Sequence, residues 1–356
     1  MAFTTVLKRR LKSYVTRRKA KLLPQYYRLH CSVAQVLRRN ARPIVESLQG
    51  SDPNQSSTKI AVFVHFDRNG VVHDYVLNYL AELVRAGYRI WFMTNAPSLR
   101  DASRHAVLPN VTWIHRRNNY GFDFGAYKDG ILAILASESP SEILICNDSV
   151  YGPFQPLAPM LLRAKPDVAD IWGLTDSYEL RYHLQSYFVL FHAAAIHSPA
   201  FLDFWRNAPY VEKRGWLIYF GEVALTQKLL SGGLRVRALF PVEAIADRLA
   251  ERIDEYAQIE ASHEKPHQIV ADPKKAFHQA VSGSFDVGIP LNPTHFCWDV
   301  LIEDLGYPFI KRDLLEYNPA KIPKIGEWRR VVGRVSTYDV DLIRQHLLQR
   351  LRGRII

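Results

Sequence analysis

Three clusters of polar residues stand where chemistry could be done. Asn147, Asp148 and Ser149 follow a short apolar run, Ile143 to Cys146, which is too brief for a helix and β-branched enough for a buried strand. At the carboxyl end of a parallel strand such a cluster could hold a cation or a sugar hydroxyl. The same residue types, with Gly152 and Pro153 behind them, also build a plain turn. The second cluster, NNYGFDFGAYKDG at Asn118 to Gly130, joins a glycine loop, an acid and the start of a helix. Its backbone could approach a phosphate and Asp123 could bind a ribose or base edge. Taken alone, the residues favour a tight helix cap packed at Gly121 and Gly125. The third is Glu222, which heads the apolar-periodic run Val223, Leu225, Leu229 and Leu230. It is either an acid that complements a helix dipole or a general base. His183, His192 and His197 have no metal-ligand spacing, and ordinary packed or loop histidines account for them.

Elements that could position these groups are legible on either side of them. Ile60 to Phe66 reads as a buried strand, followed by a helix capped at Asp74, with Leu77, Leu80, Leu83 and Val84 inward and Gly87 closing it. Tyr88 to Met93 and Val111 to His115 read as further strands, which makes a βαβ beginning. Later strands are expected at Asp170 to Leu174, Ser186 to Phe191 and Leu234 to Phe240. Between the last two, a helix from Pro199 is capped by Ser198. After that the chain, with NPTHFCWD at Asn292 to Asp299 and GYPFIKRDLLEYNP at Gly306 to Pro319, is rich in proline and aromatics. It is expected to pack across the body as irregular structure with a last helix near Val340 to Leu351.

Composition bounds the rest. With 356 residues, 48% hydrophobic, the chain can bury a sizeable core. Residues 1–50 carry twelve Lys or Arg against one acid, Glu46, which accounts for the whole net charge of +11 and leaves the remainder neutral. A neutral body argues against a nucleic-acid-binding protein. The basic arm, with interspersed leucines and tyrosines, is suited to an anionic membrane surface. The polar run GSDPNQSST around 51–58 reads as a linker to a body at 59–245, with a C-terminal extension at 246–356. Cys31, Cys146 and Cys297 lie far apart without metal spacing, which points to a reduced, cytosolic setting. No uncharged apolar run is long enough to cross a bilayer, so the expectation is a soluble or peripheral protein.

RRNNYGFDFGAYKDG at Arg116 to Gly130, LICNDSVYGP at Leu144 to Pro153 and HLQSYFVLF at His183 to Phe191 together resemble the rhamnan synthesis protein F family of bacterial polysaccharide glycosyltransferases. The two C-terminal blocks quoted above fit the same family, and the resemblance covers roughly Lys59 to Pro319. It implies a GT-A-like α/β fold, a Rossmann-type domain with a mixed, mostly parallel sheet that binds a nucleotide-sugar. It implies a glycosyltransferase, inverting and rhamnosyltransferase-like, with dTDP-L-rhamnose as a possible donor and a lipid-linked or growing glycan as acceptor. The strand carrying an Asp-x-Asp signature ends beside the sugar diphosphate in such enzymes, and Cys146 to Ser149 resembles it. Asp148 would then touch a divalent cation, Mg²⁺ or Mn²⁺, although Asn147 and Ser149 flank one acid where two are usual. The resemblance makes Glu222 the base that deprotonates the acceptor, with Asp176, at another strand end, as its rival. Donor contacts would come from strand ends: Phe66, Asp67 and Arg68, then Thr94 and Asn95, then Arg117, Asn119 and Asp123, with Asn147 and Ser149 alongside. A second reading is a non-catalytic nucleotide-sugar or glycan-binding scaffold in a polysaccharide assembly complex.

Overall fold

The computed structural model describes residues 41–261 and 273–351, together with 25–26, 29, 31–34 and 36–38. In chain order the first strands are β1 (Ile44–Gln49), β2 (Lys59–His65), β3 (Arg89–Thr94), β4 (Trp113–Arg117), β5 (Glu142–Asn147) and β6 (Val150–Tyr151). They are followed by β7 (Ile171–Ser177), β8 (His183–Leu184), β9 (Phe188–His192), β10 (Val236–Phe240) and β11 (Ile310–Lys311). The residues of β2 show why a two-sided sheet forms. Ile60, Val62 and Val64 enter one apolar cluster, Ala61 and Phe63 the other. Side chains alternate across a strand, so a strand apolar at both parities needs cover on both faces.

The sheet runs β1-β4-β3-β2-β5-β9-β7-β10, with β8 attached to β7. β2, β3, β4 and β5 are mutually parallel, β7 is parallel to β10, and β9 is antiparallel to both β5 and β7. The fold is therefore α/β with a mixed, mostly parallel sheet, as the sequence implies. One face is covered by Phe122–Ser137, Pro199–Asn207 and Ala224–Ser231 through residues such as Tyr127, Ile131, Trp205 and Leu229. The other is covered by Asp74–Arg85 through Tyr75, Tyr79, Leu80 and Leu83, and by the C-terminal helices. Ser198 caps its helix by accepting from the Phe201 amide at 3.1 Å, and Gly87, at φ +88°, closes the helix of Asp74, as their residue types predict.

Three expectations meet a different structure. Ile44–Gln49, read as part of the basic arm, is an edge strand antiparallel to β4; residues 1–24 of that arm lie outside the described residues. The run read as a linker is pinned to the body. Asp52 accepts from Arg89 and Thr112, Asn54 donates to the carbonyls of Val84 and Tyr88, and Ser57 donates to that of Gly87. Polar side chains there satisfy the ends of neighbouring elements rather than solvating a spacer. The C-terminal part is largely helical, with Val242–Ala261, Pro273–Asp286, Trp328–Val335 and Asp341–Arg350 among its helices. Trp328, Val331 and Val332, spaced for one helix face, are buried in the same cluster as β2 and β5, so this part shares the core of the body.

Candidate functional site

β3 and β4 lie to one side of β2 and β5 to the other, so the chain order reverses between β2 and β5. That switch point opens a crevice at the carboxyl ends of the strands. Asp148 sits in it: its amide donates to the Val64 carbonyl, and its carboxylate accepts from the Phe66 amide at 3.3 Å, which ties the ends of β5 and β2 together. Asn147, buried, stands behind it. Its amide donates to Asp123 at 3.1 Å, and its oxygen accepts from the Ser149 amide and hydroxyl at 3.1 and 2.6 Å. Burial, with the Asp148 carboxylate close by, pushes Asp123 up to about 6.

Immediately after this turn, β6 pairs antiparallel with β11, Val150 opposite Lys311 and Tyr151 opposite Ile310. Gly152, at φ +126°, is required here, since a Cβ would come within 2.4 Å of the Pro308 carbonyl oxygen. The ribbon places two cations at the corner. Arg312 lies 3.2 Å from the Asp148 carboxylate, and its Nη1 also donates to the Asp148 carbonyl and to the Tyr75 hydroxyl, each at 2.9 Å. Its Nε donates to Glu316 at 3.3 Å. Lys311 lies 3.5 Å over the ring of Tyr187, and burial pushes its ammonium down to about 8 against the pull of Glu222, Asp313 and Asp123.

A cleft of about 540 Å³ opens on one side of the corner, lined among others by Asp148, Ser149, Glu222, Lys311 and Arg312. A hollow of about 470 Å³, with Asp67, Arg68, His73 and Arg100 in its wall, lies on the other. A neck lined by Phe66, Asp148 and Arg312 lies between them, and Arg350 borders all three. Glu222 is held by one oxygen: Oε1 accepts from the Ser186 amide at 3.1 Å and hydroxyl at 2.6 Å, while Oε2 lies 3.9 Å from His183. Asp67 shapes its loop by accepting from the amides of Asn69 and Val71. Burial would raise it, but the His73 imidazole 3.9 Å away and these bonds hold it well below the usual carboxylate range.

The structure thus brings Phe66, Asp67, Arg68, Asp148, Ser149 and Glu222 to one groove, with Asn147 and Asp123 directly behind. It does not bring the others. Arg117 is fully buried, donating to Asp129, Asn95 and the Tyr120 carbonyl at 2.8, 2.6 and 2.8 Å, so neither it nor Asn95 faces a ligand. Thr94 is buried against His65, and Asn119 lies outside the walls of these hollows. Asp176 is buried inside β7, where it accepts from the Val242 amide at 2.8 Å and caps the helix Val242–Ala261, and burial pushes it up to about 6. Glu222 does not open a helix. It lies near the end of a π-helical stretch, Leu217–Val223, that follows the turn Arg214–Trp216 and runs into Ala224–Ser231. The glycine loop packs on itself: a Cβ on Gly125 would lie 2.0 Å from the Tyr120 carbonyl oxygen and 3.0 Å from Arg117 Nη2. Sequence reasoning missed Lys311, Arg312, Arg350, Ser186 and Tyr75. The one visible signal was the basic pair inside PFIKRDLLEYNP.

The donor set does not fit a divalent cation. Asp148 is a single carboxylate already engaged by a guanidinium, Asn147 turns its oxygen to Ser149, and Asp123 is capped by an amide. Among the described residues no group of three or more His, Cys, Asp or Glu is arranged to hold a metal.

The model of the family described as Rhamnan synthesis protein F matches residues 90–269, about half of the chain. Virulence protein VirA of Vibrio anguillarum is 29% identical over 214 residues, 59% of this chain and 64% of that protein. The uncharacterized protein y4gN of Sinorhizobium fredii is 28% identical over 194 residues, 53% of this chain and 50% of that protein. The chain thus spans between half and two thirds of the length of these relatives. Among solved structures, mannosyltransferase PcManGT of Pyrobaculum calidifontis, in complex with GDP-Man and Mn²⁺, is similar over 96% of this chain and 98% of its own. The identity is 10% and the TM-score 0.34, too low to rest an argument on.

Proposed function

The chain belongs to the rhamnan synthesis protein F family, and from that premise we propose that it is a glycosyltransferase of polysaccharide synthesis with a GT-A-like fold. The observation that carries this reading is that Glu222 and the Asp148–Arg312 corner face the same cleft of about 540 Å³. A nucleotide-sugar would lie across the neck, its nucleoside in the hollow beside Phe66, Asp67 and Arg68 and its diphosphate at the corner. The acceptor would enter the cleft from the side of Glu222. Glu222 Oε2 then takes the proton of the acceptor hydroxyl, and that oxygen attacks the anomeric carbon as the bond to the diphosphate breaks. The electron pair leaves with the nucleoside diphosphate. Attack from the face opposite the leaving group inverts the anomeric configuration. Ser186 fixes Oε1, so the carboxylate keeps one aim. Asp176, turned into a helix cap, is the weaker candidate for the base.

A deoxyhexose donor such as dTDP-L-rhamnose and a lipid-linked or growing cell-surface glycan are the substrates that the family resemblance supports. Among the described residues no helix is long and apolar enough to cross a membrane. We assign approach to an anionic inner membrane face to the basic residues of the first fifty. The test is a panel of UDP-, GDP- and dTDP-sugars offered to the purified protein with a glycan acceptor, monitoring nucleoside diphosphate release. One donor should be consumed, and Glu222→Gln should lower kcat about 10²- to 10⁴-fold with donor Kd unchanged. Full turnover by that variant would remove Glu222 as the base. Donor binding without transfer or hydrolysis across the panel would leave the scaffold reading.

A further inference from the structure

We propose that Arg312 and Lys311 are the diphosphate-binding cations of the groove, so that this site takes a nucleoside diphosphate without a divalent metal. The inference rests on the nucleotide-sugar reading above and goes beyond it by naming what neutralises the leaving group.

Three observations carry it. Arg312 is preorganised: Nε is held by Glu316, and Nη1 by Asp148 and Tyr75, while Nη2 makes none of these bonds. The guanidinium also borders both the neck and the cleft, so a fixed fork meets the groove with donor capacity to spare, the arrangement that suits a phosphate oxygen. Lys311, the adjacent residue, borders the same cleft and forms no ion pair among the described residues; its ammonium rests on the Tyr187 ring. Two cations on the wall of one cleft are suited to offset part of the negative charge of a departing nucleoside diphosphate.

The third observation is what a metal would meet. A divalent cation at Asp148 would have to displace the guanidinium 3.2 Å away and then stand beside both it and Lys311. Like charges at such separations repel strongly where water is partly excluded. Of the other acids, Glu316 is held by Arg312 Nε at 3.3 Å, and Asp123 already accepts from the Asn147 amide at 3.1 Å. The ribbon of β6 and β11 therefore delivers, from a distant part of the chain, the charge that a metal would otherwise supply.

The experiment is calorimetric titration of dTDP, UDP and GDP into the full chain, once in excess EDTA and once with Mn²⁺. The nucleotide that binds should do so with Kd values that agree within about twofold in the two conditions. Lys311→Met should weaken that Kd about tenfold or more in EDTA. Arg312→Lys, checked for folding by its thermal melt, should weaken it as well, because an ammonium cannot reproduce the held fork. Asp148→Asn separates the alternatives: a clamp relieved of its counter-ion keeps or gains affinity, whereas a metal ligand lost abolishes binding. Binding that appears only with Mn²⁺ and vanishes in Asp148→Asn overturns the proposal while leaving transferase activity standing. No binding of any nucleotide in either condition overturns this proposal and the nucleotide-sugar reading together.

Discussion

Arg117 and Arg312 each hold an aspartate, Asp129 at 2.8 Å and Asp148 at 3.2 Å, and all four lie within blocks of the family resemblance. The side chains of the first pair are 0% and 7% exposed, those of the second 18% and 13%. Arg117 uses Nε, Nη1 and Nη2 on partners within the protein, and Tyr210 donates to Asp129 to close the network. Arg312 keeps Nη2 out of its own network and borders the groove. The same pair of residue types is thus a sealed lock in one corner and part of a groove wall in the other. What differs is whether the last donor is used internally, and that depends on packing around the guanidinium rather than on the charge.

The comparison can be broken first at the sealed corner. Arg117→Met strips the buried Asp129 of its cation and should destabilise the fold by about 3–5 kcal/mol, read from urea unfolding, while nucleotide affinity of the folded fraction stays unchanged. A fall in that affinity at unchanged stability would show that the two corners are not different in kind. Asp176 belongs with the sealed set, and its test is a matter of sign. Its folded pKa of about 6 exceeds the unfolded value near 3.8, so its contribution to stability is full below the unfolded value and is lost as pH rises through about 6. Asp176→Asn should therefore be more stable than the parent at pH 8, by up to about 3 kcal/mol, with the gain shrinking towards pH 4. Its turnover should match the parent's; loss of turnover would return Asp176 to the list of bases. The smallest effect belongs to the open corner. Ser186→Ala removes one of two bonds aiming Glu222, worth about 1 kcal/mol, and should lower kcat several-fold with KM nearly constant. A change in KM alone would place Ser186 in acceptor binding instead.

Much of the framework was legible because it is written in local periods. β2 to β5, the helix of Asp74 and the Ser198 cap follow from short β-branched apolar runs, helical spacing and capping chemistry. The corner at Asn147 to Ser149 followed from a strand that ends in polar residues. The errors have physical sources too. A strand end tells that a side chain is near the crevice but not which way it turns, so Arg117 and Asn95 were read as donor contacts although both point into the protein. The periodic run from Val223 places Glu222 at a helix start, but the chain is already helical there: Gly221 lies against the Phe124 ring, where a Cβ would come within 2.9 Å, inside a stretch under way since Leu217. Arg312 was out of reach because β6 and β11 are two residues each, too short to carry a period, and their pairing spans some 160 positions.

That pairing sets an order of events during synthesis. The carboxylate of Asp148 leaves the ribosome well before the two cations that complete its corner, and the sheet from β2 to β10 has been translated by then. A nascent or clipped chain ending anywhere between β6 and β11 carries the acid alone, with neither Lys311 nor Arg312 beside it. β11 thus closes the groove from outside the main sheet, and a product cut before it carries an incomplete one.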